Sequence, residues 1–163
     1  VATLIRADVG IEAAQVDIGG WDTHAGQGAA TGALATVAGD LASSLAAFYA
    51  DIVATNANVT VVVVSEFGRN ARENGSNGTD HGRATTMFAM GQGIKGGRVL
   101  ALGTNGSAGW PGLAIDQLES RQDLRVTLDY RDVLAEIVQN RLGNTQLAQV
   151  FPGWTPNFRG VTR

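Results

Sequence analysis

The 163-residue chain is 44% hydrophobic and 17% charged, a balance that fills the core of a folded domain and excludes a highly charged disordered segment. Its net charge of −3 excludes a general nucleic-acid binder, and the absence of cysteine excludes disulfide frameworks and thiolate metal sites. No apolar window of about 18 residues stands out, so no membrane span is expected.

All but Lys95 of the 12 basic residues are arginine, the better bidentate partner for phosphate or sulfate. The chain begins at Val1 with neither methionine nor signal peptide, so a fragment of a larger protein is expected. Val1 to Asp8 reads as the end of a helix closed by Gly10. Ile11–Ile18 reads as a strand ended by Gly19-Gly20. From Ala33 to Ala54 the apolar residues Leu34, Val37, Leu41, Leu45, Phe48 and Ile52 recur at helical steps, which makes one face of a long helix. Val59–Ser65 contains four consecutive valines and reads as a strand buried on both faces, as in a parallel sheet. Strand, helix and strand together predict a βαβ unit. Thr86–Met90 is a third predicted strand, Arg98 to Leu102 a short one, and Gly103 to Gly112 a glycine-rich loop carrying Trp110-Pro111. Leu124 to Leu128 suits another short strand. A second amphipathic helix starts at Asp129 and is capped by Gly143, and a short final helix runs from Asn144 through Val150. The expected fold is one domain over residues 1–163, a three-layer α/β/α arrangement with a mainly parallel sheet.

The polar residues cluster where predicted strands end, and ligands of open α/β sheets bind beyond those ends. The only histidines are His24, in Gly-Gly-Trp-Asp-Thr-His, and His81, in Gly-Thr-Asp-His-Gly. Asp22 and His24 are two residues apart, so in an extended segment their side chains share one side and suit a divalent cation of the zinc or manganese type. Calcium and magnesium are the further candidates. The same residues equally suit a capping Asp22 and a surface His24. Glu66, at the end of the valine strand, suits either the metal or a pairing with Arg69 or Arg72, and Asp80 suits a turn. Strand ends facing one crevice predict that Asp22, His24 and His81 converge, with Glu66 close by and Arg69, Arg72 and Arg83 around them.

The combination Gly-Gly-Trp-Asp-Thr-His with Gln27, Ser-Glu-Phe-Gly-Arg, Gly-Thr-Asp-His-Gly and Asp-Tyr-Arg-Asp-Val-Leu-Ala-Glu resembles the C-terminal part of a bacterial sulfatase-like family of unknown function. That family is similar to the alkaline phosphatase superfamily and is often exported by a twin-arginine signal. The resemblance implies an alkaline-phosphatase-like fold and a periplasmic or exported location. It implies Asp22, His24 and His81 as ligands of a first metal. Glu66 stands where the superfamily has the aspartate of an Asp-His-Gly motif on a second metal, and Phe67 replaces that motif's histidine. The superfamily's nucleophile lies in an N-terminal segment with no counterpart in this sequence.

Two functions follow. One is the C-terminal portion of a metal-dependent phosphatase- or sulfatase-like hydrolase, with Arg69, Arg72 or Arg83 holding the anionic part of a small ester. The other is a non-catalytic binding or structural protein with a degenerate metal site. The expected partner is a missing segment supplied by another chain, or a second copy joined at an exposed sheet edge.

Overall fold

The structure, a computed structural model, describes residues 1–56, 58–101 and 109–163. The chain divides into two compact units, Val1–Ala57 with Glu73–Asp80, and Asn58–Arg72 with His81–Arg163.

The first unit is helical. Helix α1 (Ala2–Arg6) ends in Arg6, whose guanidinium meets both carboxylate oxygens of Asp51 at 2.6 Å. Both partners are about half exposed, so this surface pair adds little stability. Helix α2 (Ala33–Phe48) continues into a π-helical turn, Tyr49–Val53. The periodic residues Leu34, Val37, Leu41, Leu45 and Phe48 are half-buried, as is Ala35, and Ile52 and Val53 beyond them are buried. The helical spacing read from the sequence is thus the helix that forms.

An 18-residue window within Ala33–Val53 reaches a mean hydropathy of 1.3, and this 21-residue helix passes the length and composition test for a membrane-crossing helix, which corrects the expectation that no such window exists. Alanine supplies much of that hydropathy while Asp40 and Asp51 interrupt the run, which is why it does not stand out by eye. The core helix of a soluble protein passes the same test when mostly buried, whereas none of this window is buried.

The second unit is built on two nested antiparallel ladders. Strand β1 (Val61–Val63) pairs with β4 (Phe88–Met90), Val62 opposite Ala89. Between them in sequence, β2 (Gly68–Arg69) pairs with β3 (His81–Gly82), Arg69 opposite His81. Helix α3 (Tyr130–Leu142) sends Val133 and Ile137, one turn apart, into a core shared with Ile94 and Val161; Val62, Met87, Ala89 and Leu100 pack around it. The chain end is stitched to residues 93–95: Lys95 N–H donates to the Val161 carbonyl, and Arg163 N–H to that of Gly93. Helix α4 (Leu147–Val150) is a single short turn.

These ladders overturn the expected three-layer, mainly parallel, alkaline-phosphatase-like sheet. Among the described residues the sheets are two-stranded and antiparallel. The physical cause is the polar loop after Arg69, which reverses the chain, so the segments flanking it pair with each other and the βαβ unit never forms. The valine run is half-buried over Val61–Val63 and 53% exposed at Val64, not buried on both faces. The predicted strand Ile11–Ile18 is irregular and exposed, Val16 at 69%. Residues 98–101 and 124–128 are also irregular; Asp123 just before the latter bridges to Asn70 and Glu119. Leu102 and residues 103–108 of the glycine-rich loop lie outside the described residues.

Both ends of α3 match their sequence signals. Gly143 closes it in the left-handed conformation (φ 69°), and Asp129 caps its start by accepting the Arg131 N–H at 2.9 Å. Hydrogen bonds from the Arg131 side chain, the largest influence, hold the Asp129 carboxyl below its ordinary range. Asp129→Ala is expected to lower unfolding stability by about 1 kcal/mol, read from urea denaturation. A loss below a few tenths would mean that the cap contributes nothing.

Candidate metal centre

In the first unit the segment after Gly20 is laced to the loop Asn74–Asp80. Gly26 N–H donates to Ser76 O at 2.9 Å, Gln27 N–H to Asn77 O at 2.8 Å, and Thr79 N–H to Thr23 O at 3.3 Å. The Gln27 side-chain carbonyl accepts both threonine hydroxyls, Thr23 at 2.7 Å and Thr79 at 2.8 Å. Asn74 organises the loop from inside. Its Oδ1 accepts the N–H groups of Ser76 and Gly78, the local bonding that favours asparagine in turns. Its Nδ2 donates to the His24 carbonyl and to Asp80 Oδ1, both at 2.9 Å.

This lacing sets the His24 ring between two carboxylates. Nδ1 lies 2.9 Å from Asp80 Oδ1, and Nε2 lies 3.0 Å from Asp22 Oδ1. A metal-bound histidine commonly gives its other ring N–H to a carboxylate, which fixes the tautomer and aims the ligand nitrogen. Asp80 stands where that orienting carboxylate belongs, leaving Nε2 and Asp22 Oδ1 side by side as donors. Tetrahedral ligands at about 2.0–2.1 Å from a zinc ion are roughly 3.3 Å from one another, close to the observed separation. This pair is spaced as two ligands of one divalent cation would be, and equally as an ion pair.

The second unit places the remaining predicted residues. His81 is opposite Arg69 in the β2–β3 ladder and stacks on Phe67, ring centroids 4.0 Å apart. Glu66 and Arg72 are exposed. Arg83 forms an ion pair with Glu119 and lines an open cleft of about 550 Å³ with Leu118, Ser120, Arg125 and Val126. Ser65 Oγ donates to the Phe67 carbonyl at 2.6 Å.

The structure thus brings together Asp22 and His24 in one unit, and Arg69 and His81 in the other. Sequence reasoning missed the roles of Asp80 and Asn74. An Asn-Gly-Ser-Asn-Gly run signals a turn, but not which distant histidine the turn holds.

The family model described as "Protein of unknown function (DUF1501)" matches residues 2–151. The chain belongs to this family. No curated protein and no solved structure matches the chain. The DUF1501 match spans the Asp22–His24 segment, the Asn74–Asp80 loop, the β2–β3 ladder and α3, and leaves residues 152–163 outside it.

Proposed function

We propose that this DUF1501 chain carries the divalent-metal centre of a hydrolase for phosphate or sulfate esters. Asp22 and His24 are the core ligands, and Asp80 is the carboxylate that orients His24. The motif resemblance adds His81 to these ligands, with Glu66 as a further candidate. The observation that carries this reading is the His24 ring, bonded at Nδ1 by Asp80 and flanked at Nε2 by Asp22. The cation, zinc or manganese by donor type, with calcium or magnesium as alternatives, supplies Lewis acidity toward an ester oxygen. Arg69 and Arg72 are assigned to the anionic oxygens, which suit a planar guanidinium fork. Arg83, already paired with Glu119, is assigned to bracing its own segment. The motif resemblance, not the fold, supplies the ester class. No residue of this chain is assigned as nucleophile, since the Ser65 hydroxyl is engaged by a backbone carbonyl.

A second reading, a non-catalytic binding protein with a degenerate metal site, is favoured by Phe67, which fills the place of a motif histidine with a ring that cannot ligate.

Elemental analysis after dialysis against zinc or manganese, with and without chelator, tests the metal. The wild type is expected to retain a single equivalent, and His24→Ala and Asp22→Ala to retain almost none with unchanged helical circular dichroism. Equal metal content in wild type and His24→Ala would sink the proposal. Metal-dependent release of nitrophenol from its phosphate or sulfate ester then favours the hydrolase.

A further inference from the structure

The cleft of the second unit, walled by Arg83, Leu118, Glu119, Ser120, Arg125 and Val126, encloses about 550 Å³, within the range of small-molecule sites. Glu119 frames it: one carboxylate oxygen pairs with Arg83, and the other accepts the Val126 N–H at 3.5 Å. A tight turn forms the adjoining edge. Glu119 and Asp123 exchange backbone hydrogen bonds of 2.9 Å in both directions, and between them Ser120 and Arg121 are both left-handed, with φ 51° and 61°. Neither residue is of the kind that adopts this conformation easily, and such conformations collect at ligand clamps.

The two guanidiniums of the cleft are not equivalent. Arg83 is neutralised by Glu119. Arg125 is half-buried and donates its Nε–H to the Gln117 carbonyl at 3.1 Å, while its terminal nitrogens make no hydrogen bond among the described residues. Anchorage at Nε holds the plane of the fork. Asp123, the next carboxylate along the chain, is not part of the wall; its Oδ1 is buried, 2.5 Å from a Cβ built on Gly82. Two terminal N–H groups of one fork and a hydroxyl from another residue suit an anion with three outward oxygens. Leu118 and Val126 add apolar surface, Val126 being 40% exposed. We propose that this cleft binds a phosphate- or sulfate-type oxyanion carried on a small apolar body, with Arg125 as the fork, Ser120 as a further donor and Leu118 and Val126 as the apolar wall. The site lies within the second unit and is independent of the metal reading above.

The test titrates the full chain, in excess chelator so that no metal contributes, with inorganic phosphate, phenyl phosphate and phenol. Calorimetry reads the affinity, and NMR of the Ser120 and Val126 amides and the Arg125 Nε–H reads the place. Phenyl phosphate is expected to move all three signals and to bind about 10-fold more tightly than inorganic phosphate, because its ring buries apolar surface, while phenol alone does not bind. Arg125→Gln is expected to weaken phenyl phosphate about 10-fold or more, with Arg125→Lys between it and wild type, since lysine keeps the charge and loses the fork. Equal affinity in wild type and Arg125→Gln overturns the proposal. So does a wild type whose Ser120 and Val126 signals stay still under phenyl phosphate, a result that needs no variant to fold. Inorganic phosphate binding as tightly as phenyl phosphate overturns the apolar wall. Each of these failures leaves the metal reading standing.

Discussion

Asp132→Ala is expected to remove about 3–5 kcal/mol of unfolding stability, the usual cost of breaking a buried ion pair from one side. Asp132 is 1% exposed on α3, and each of its oxygens is engaged. Oδ1 accepts the Trp154 indole N–H at 3.1 Å and the Asn157 N–H at 2.9 Å, while Oδ2 accepts two nitrogens of Arg159. One turn later Glu136, 2% exposed, takes the N–H groups of Arg159 and Thr162 and the Thr162 hydroxyl. Two carboxylates on one helix face thus hold the returning C-terminal segment by accepting the Asn157, Arg159 and Thr162 N–H groups. Alanine at 132 leaves a cation and two donors without their acceptor, and each orphaned donor adds a desolvation cost. Urea denaturation measures the loss, and a change below about 1 kcal/mol would show that water replaces the carboxylate at no cost.

The same pair predicts acid sensitivity. Burial, the largest single influence, pushes both carboxyls up, but the donors aimed at them outweigh it and hold both below their ordinary values of 3.8 and 4.5. Folded values below unfolded ones mean that the unfolded chain binds protons more readily. The stabilisation is therefore complete above the ordinary carboxylate range and is lost as pH falls through the lowered folded values. The melting temperature is expected to drop on acidification through that range in wild type, and less steeply in Glu136→Gln.

Helices were legible in this sequence and strand partners were not. Leu34, Val37, Leu41 and Leu45 recur at helical spacing, and Asp129 and Gly143 are caps whose chemistry is local, so α2 and α3 followed from neighbours in sequence. The valines of β1 announce an extended segment, yet β-propensity carries no information on which strand lies alongside or in which direction. The partner, Phe88–Met90, is chosen by the reversing loop between them. Ile11–Ile18 shows the opposite failure, an apolar segment that pairs with nothing among the described residues. At the site, Asp22 and His24 were legible because their spacing is short. The carboxylate on the far side of His24 comes from Asp80, 56 residues along the chain, and only the fold of the Asn74–Asp80 loop puts it there.

That loop supplies the second large effect, a contrast between two glycines three residues apart. A Cβ on Gly78 would stand 2.3 Å from both the carbonyl carbon and oxygen of His24 and 2.5 Å from the Thr23 oxygen. All three are backbone atoms, so no side chain is able to rotate away, and the loop itself has to retreat. Gly78→Ala is therefore expected to cost about 1–3 kcal/mol, the range for forcing extra volume into a packed site. The retreat also draws Asn74 from the His24 carbonyl and Asp80 from Nδ1, the bonds that aim the ring. Metal affinity should consequently fall about 10-fold or more, as when an orienting carboxylate is lost. At Gly75 nothing lies within 4 Å of the built Cβ, so Gly75→Ala, in the same loop, should stay within about 0.5 kcal/mol of wild type and bind metal as before. Thermal melts and zinc titrations of the two variants side by side measure the difference. If they behave alike, the loop does not press on the His24 backbone, and Asp80 is not what orients the ring.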